Sequence, residues 1–227
     1  MKAIISLLFL MLFIPDIHSQ IDFENDPASF DDAYNKYYDY KRLNKSIDKD
    51  FDIKNDFDFE LRFWIEPAPM SGRSLFLLRK KDDKWNVRFF THTLEFKEDE
   101  SIHSYWKEKE LEQKGLSGLW QMLRDNHILT LPTLDSIRDK MRVYSADTLA
   151  AQGIYTQLSG GPYYNPYVLD GVSYRTELRT KDKKRSYSYH CPKGYLKECT
   201  NVEELYRAYA IVYLIFRRIG LNPDDIC

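Results

Sequence analysis

The stretch SYRTELRTKDKKRSYSYHCP, Ser173 to Pro192, sets a His beside a Cys at the end of two alternating segments that flank a charged turn. A thiolate with an imidazole as its base is the raw material of nucleophilic catalysis, provided the two lie within hydrogen-bond reach. Neighbours on a strand point to opposite sides of the sheet. His190 therefore does not serve Cys191 as a base, and the stretch reads first as a β-hairpin.

With the turn centred between Asp182 and Lys183, Arg179 falls opposite Ser186, Glu177 opposite Ser188 and Arg175 opposite His190, all on one face. Leu178 and Tyr187, Thr176 and Tyr189, and Tyr174 and Cys191 fall on the other. The polar face, Arg175, Glu177, Arg179, Ser188 and His190, has the donors and charges of an anion- or sugar-binding surface, since arginine forks present paired N–H groups. The same residues also describe an ordinary solvated face with cross-strand charge pairs. Residues 175–197 carry eight basic and two acidic groups. That local excess is suited to attracting the acidic segment upstream or steering an anionic partner.

Tyr155, Tyr163, Tyr164 and Tyr167, within a loop punctuated by Gly and Pro, form a candidate aromatic platform for a glycan or peptide. The alternative is that these rings cap the core beneath the loop. Catalytic templates are absent: there is no G-x-S-x-G, H-E-x-x-H, Walker-type or dinucleotide-binding glycine motif. His92 and Glu95 face opposite ways on a strand, which disfavours a metal site, and neither metal nor cofactor is expected. Glu60, Glu66 and Glu177 are carboxylates of the kind a glycosidase pairs, yet nothing in the sequence brings two of them together.

The chain opens MKAIISLLFLMLFIPDIHSQ, with Lys2 ahead of an apolar run too short to span a bilayer. That is the anatomy of a secretory signal peptide over residues 1–19. Export to a secreted or periplasmic location follows as an expectation, with no membrane association after signal removal. All three Cys lie at 191, 199 and 227. In an oxidising compartment, Cys191 and Cys199 are the expected disulfide, closing a short loop around Pro192 and Gly194. A net charge of −2 argues against a nucleic-acid binder.

Elements to position these residues follow from periodicity. Residues 20–56 are acidic, Tyr-rich and weakly periodic, and read as an extended or partly disordered leader; they include the sequon Asn44–Ser46. FDFELRFWIE (57–66) alternates as a strand with one buried face, with Trp64 the one apolar residue out of phase. SLFLLRK (74–80) and KWNVRFFTHT (84–93) read as the next hairpin. Leu116, Leu119, Trp120, Leu123 and His127 take helical spacing behind Ser117 as a cap, and LDSIRDKM suggests one further short helix. Thr200 to Glu203 fits a capping box ahead of a core helix, which Gly220 and Pro223 terminate.

The expected fold is α+β. Residues 57–227 form a single domain whose antiparallel β-sheet, a meander plus a C-terminal hairpin, is packed on one face by helices near 116–128 and 201–219. The expected function is a non-catalytic binding or interaction protein for a protein, peptide or glycan partner. Two other readings are a small secreted hydrolase of polysaccharide or peptide, with Glu177 and His190 as acid and base, and an inhibitor or immunity-type protein that docks a partner enzyme.

Overall fold

The alternating stretch from Phe57 onward becomes the centre of a six-stranded antiparallel sheet. Our computed structural model describes residues 40–67, 72–96, 102–144, 163–164, 168 and 171–227. The strands are β1 (Phe59–Pro67), β2 (Ser74–Lys81), β3 (Lys84–Phe96), β4 (Ile102–Lys109), β7 (Val172–Thr180) and β8 (Lys184–His190), ordered β4-β3-β2-β1-β7-β8. A two-residue pair, β5 (Val143–Tyr144) with β6 (Tyr163–Tyr164), stands apart. The first four strands are a meander, and the hairpin β7–β8 adds to the free side of β1. The helices are α1 (Tyr40–Asp50), α2 (Leu116–Asp125), α3 (Pro192–Leu196) and α4 (Glu203–Ile219). Residues 1–19, the expected signal peptide, and residues 20–39 lie outside the described residues, as does Tyr167.

One face of the sheet carries Phe59, Leu61, Phe63, Phe76, Leu78, Phe89, Tyr174, Leu178, Tyr187 and Tyr189, all buried. Against it pack Leu116, Leu119, Trp120 and Leu123 of α2 and the stripe Leu205, Ala208, Val212, Ile215, Phe216 and Ile219 of α4. Each of the Leu, Ile, Val and Phe side chains contributes about 1.5–3 kcal/mol by leaving water. The fold is thus the expected α+β domain with helices over the apolar face. A cavity of about 10 Å³ between the sheet and α4, among Phe63, Tyr174, Thr176 and Ile211, has room for no more than roughly one water.

Two loop-level expectations are corrected. The capping box does not form: α4 starts at Glu203 behind an extended Val202 with no side-chain cap, and Thr200 sits in the turn before it. Likewise α2 begins at Leu116 behind Gly115, so Ser117 lies inside the helix. Gly220 does take the left-handed conformation (φ 72°) and lies just after Ile219, as the stop signal requires. Asp82 and Asp83, also at positive φ, make the β2–β3 turn.

The disulfide also differs from expectation. Cys191 pairs with Cys227, while Cys199 stays reduced and buried, with Sγ facing the Met141 carbonyl. The cause is the route of the chain beyond His190. Cys191 leads directly into α3, so Cys199, at the far end of that helical turn, is drawn into the core with Tyr195 and Val202. The segment after Gly220 returns to the sheet end, where Lys193 N–H donates to the Cys227 carbonyl. Gly171 is required there, because a Cβ at that position would collide with the Cys191 sulfur.

Candidate functional site

The second sheet face is not left to water. Asn44, Ile47, Asp48 and Phe51 recur at helical spacing, which gives α1 and the turn after it one side that reaches the sheet. Ile47 (0 % exposed) and Ile53 cover Trp64, Leu75, Leu77 and Phe90, with Phe51 and Trp106 at the margin. This corrects the reading of residues 20–56 as extended: over Tyr40–Asp50 the chain is helical, and it roofs this face. It also accounts for Trp64, whose indole belongs to a second, smaller core.

Beside that cluster the roof is polar. Glu60 (0 %) and Arg62 (1 %) are buried on β1, as are Arg175 and Glu177 on β7. Arg62 Nε donates to Glu60 Oε1 at 2.8 Å, its Nη1 to Asn44 Oδ1 at 2.8 Å and its Nη2 to Asp48 Oδ1 at 2.6 Å. Asn44 Nδ2 then donates to Glu177 Oε2 at 3.1 Å, and Arg175 pairs with Glu177 at 2.8 Å. Glu60 also accepts from Arg79 and from Arg179 Nη1, the latter at 2.8 Å. Burial alone would raise the Glu60 pKa, but Arg62, Arg79 and Arg179 outweigh it and hold the carboxyl below its ordinary range. Glu60 is ionised and shared by three arginines, while Arg62 also reaches Asp48 and Arg175 pairs with Glu177.

The hairpin register places the predicted site residues. Arg179 faces Lys184, Glu177 faces Ser186, Arg175 faces Ser188 and Ser173 faces His190, a two-residue shift from the expected pairing. A two-residue shift keeps every side chain on its own face, so the sorting into polar and apolar sides holds. The exposure does not follow expectation. Arg175 and Glu177 lie in the dry network under α1, and only Arg179, Ser188 and His190 are part-exposed. Glu177 and His190 do not come together: four strand positions separate Glu177 from Ser173, the residue opposite His190, or about 13 Å. Glu177 is also tied to Arg175 and Asn44. The side chains of Tyr163, Tyr164 and Tyr167 lie outside the described residues; the backbone of the first two forms β6.

Two features escaped the sequence reading. The first is Ser173, whose Oγ lies 3.1 Å from His190 Nδ1, while His190 Nε2 lies 3.1 Å from the Val168 carbonyl. The second is β4, which no expected element covered. It is one edge of the sheet and pairs only with β3 among the described residues. His103, Tyr105 and Lys107 line one side of it and are exposed, with Lys107 Nζ 5.1 Å from the Tyr105 ring centroid. On its other side Arg88 forks onto Glu108 at 2.7 Å through Nε and Nη2, and the Trp106 ring meets His92 at a tilt and Trp64 edge-on. The alternation from His103 to Lys109 was the available signal for the strand.

No protein-family model matches the chain, and no curated protein sequence matches it, so its assignment rests on these contacts alone.

Proposed function

We propose that the protein is an exported binding protein whose docking element is the edge strand β4, and whose partner is an extended, acidic peptide segment. The observation that carries this is the exposed row His103, Tyr105, Lys107 beside a strand edge that nothing described covers. An open edge offers backbone donors and acceptors to an added strand, and the side chains of alternate residues supply selectivity. Lysine on an edge discourages indiscriminate pairing, and here it selects for carboxylates. Export is supported by the Cys191–Cys227 disulfide, a bond that persists in oxidising compartments.

The test uses a labelled ten-residue peptide of alternating Glu and Val, with its Lys-for-Glu counterpart as control. The expected result is saturable binding of the acidic peptide alone, slowed hydrogen exchange at β4 amides, and at least tenfold weaker binding in Lys107→Glu. Equal binding by Lys107→Glu, or protection confined to other elements, overturns the proposal.

A further inference from the structure

Beyond docking, the ends of β7 and β8 bring the side chains of Ser173 and His190 into direct contact. Cys191 N–H donates to the Val172 carbonyl at 3.0 Å, which makes residues 172 and 191 a hydrogen-bonded pair. The next pair along, Ser173 and His190, is then a non-hydrogen-bonded one, in which Cα atoms approach to about 4.5 Å and side chains are closest. Ser173 Oγ and His190 Nδ1 meet at 3.1 Å. On the far side of the ring, Nε2 lies 3.1 Å from the Val168 carbonyl oxygen, which can only accept. In the neutral ring the proton therefore sits on Nε2, and Nδ1 turns its lone pair toward the serine hydroxyl.

Geometry completes the arrangement. Glu66 is the residue opposite Ser173 on β1, and Arg73 Nε stands 3.6 Å from its carboxylate, so a cationic group borders the row. The side-chain hydrogen bonds of α1 reach Arg62 and Glu177, which leaves the row at 66, 173 and 190 at the other end of those strands. Ser173 and His190 are both part-exposed. A hydroxyl, a base with its tautomer fixed and partial access to solvent are the elements of an activated nucleophile.

We infer that Ser173 is a nucleophile for acyl transfer, with His190 as its general base and an ester as the class of substrate. Ser173 Oγ bonds to the ester carbonyl carbon as its proton passes to His190 Nδ1, and the carbonyl π pair moves to oxygen. Collapse of that adduct breaks the bond to the alcohol oxygen, which leaves with the proton from Nδ1. Water then attacks the acyl-serine, gives one proton to Nδ1, and releases the acid as Ser173 recovers its hydrogen.

The experiment treats the full exported chain with a fluorophosphonate probe, maps the adduct by peptide mass spectrometry, and follows p-nitrophenyl acetate hydrolysis. The expected result is one adduct, on Ser173, with both signals lost in Ser173→Ala and retained in Ser46→Ala, at an exposed serine on α1. His190→Gln should slow labelling by about 100-fold or more, the scale of a lost general base. Absence of an adduct on Ser173 in the wild-type protein overturns the inference. An unchanged labelling rate in His190→Gln overturns the role of His190. Peptide binding at β4 is read separately, so failure of either reading leaves the other standing.

Discussion

Glu60 and Arg62, two residues apart on β1, lie on the same face of the sheet with Oε1 and Nε 2.8 Å apart, and neither is more than 1 % exposed. A strand that alternates Phe-Glu-Leu-Arg-Phe advertises an inner and an outer face. The outer face here is as dry as the inner one because α1 closes over it. A charge pair in such a place is held by its surroundings, and removing one member strands the other.

Glu60→Ala should therefore lower unfolding stability by about 3–5 kcal/mol, since Arg62, Arg79 and Arg179 lose their shared acceptor. A urea titration reads this as a lower midpoint. Loss of less than roughly 1 kcal/mol, the level of an exposed pair, would mean that water reaches the network.

Acid should lower stability over two pH ranges. His92 is held below its usual 6.5 by burial and by Arg73, so the unfolded chain takes up that proton more readily and stability declines as pH drops below 6.5. Glu60 is held below its usual 4.5, so the stability it contributes is present above that pH and drains away below it. The check is thermal melting against pH, with His92→Gln expected to flatten the slope between pH 7 and 5 and leave the lower transition in place.

The sequon at Asn44 should remain without a glycan in the folded protein, even from a glycosylating host. Its Nδ2 is the atom a glycan would occupy, and it donates to Glu177 at 3.1 Å between α1 and the sheet. Asn44→Ala should cost about 1–3 kcal/mol by leaving buried partners unpaired, whereas Ser46→Ala, at an exposed position, should leave the melting curve in place. Intact mass before and after glycosidase treatment reads the first point. A folded, glycosylated Asn44 would show that α1 does not dock as described.

Non-reducing peptide mapping should recover Cys191 joined to Cys227 and Cys199 as a thiol that alkylates only after denaturation. The bond spans a separation of 36 residues, and by loop-closure entropy Cys227→Ser should lower stability by about 4 kcal/mol. Recovery of a 191–199 peptide would overturn the pairing.

The inner half of the fold was legible in the residues themselves. Phe59, Leu61, Phe63 and Ile65 announce β1 by period two, and Leu205 to Ile219 announce α4 by period 3.6, because each buries one continuous face. The candidate site was legible only in part. Side-chain parity put Arg175, Glu177 and Arg179 on a common face correctly, but parity is silent about what lies over that face. The covering helix comes from a polar, acidic stretch whose apolar contacts reduce to Ile47, Phe51 and Ile53, too sparse for a periodic signal. Trp64 was the one residue that betrayed it. The Ser173–His190 contact depends on a register that turn position alone did not fix, and the 191–227 bond depends on the path of the chain after Gly220.

That bond has a mechanical consequence. Helices α3 and α4 lie within the covalent ring that Cys191 and Cys227 close, so tension applied at residue 227 passes across the sulfurs into the β7–β8 hairpin and leaves both helices slack. A tether attached there would have to shear hydrogen-bonded strands before it could peel a helix away, and reducing agent would convert a brittle anchorage into one that yields turn by turn.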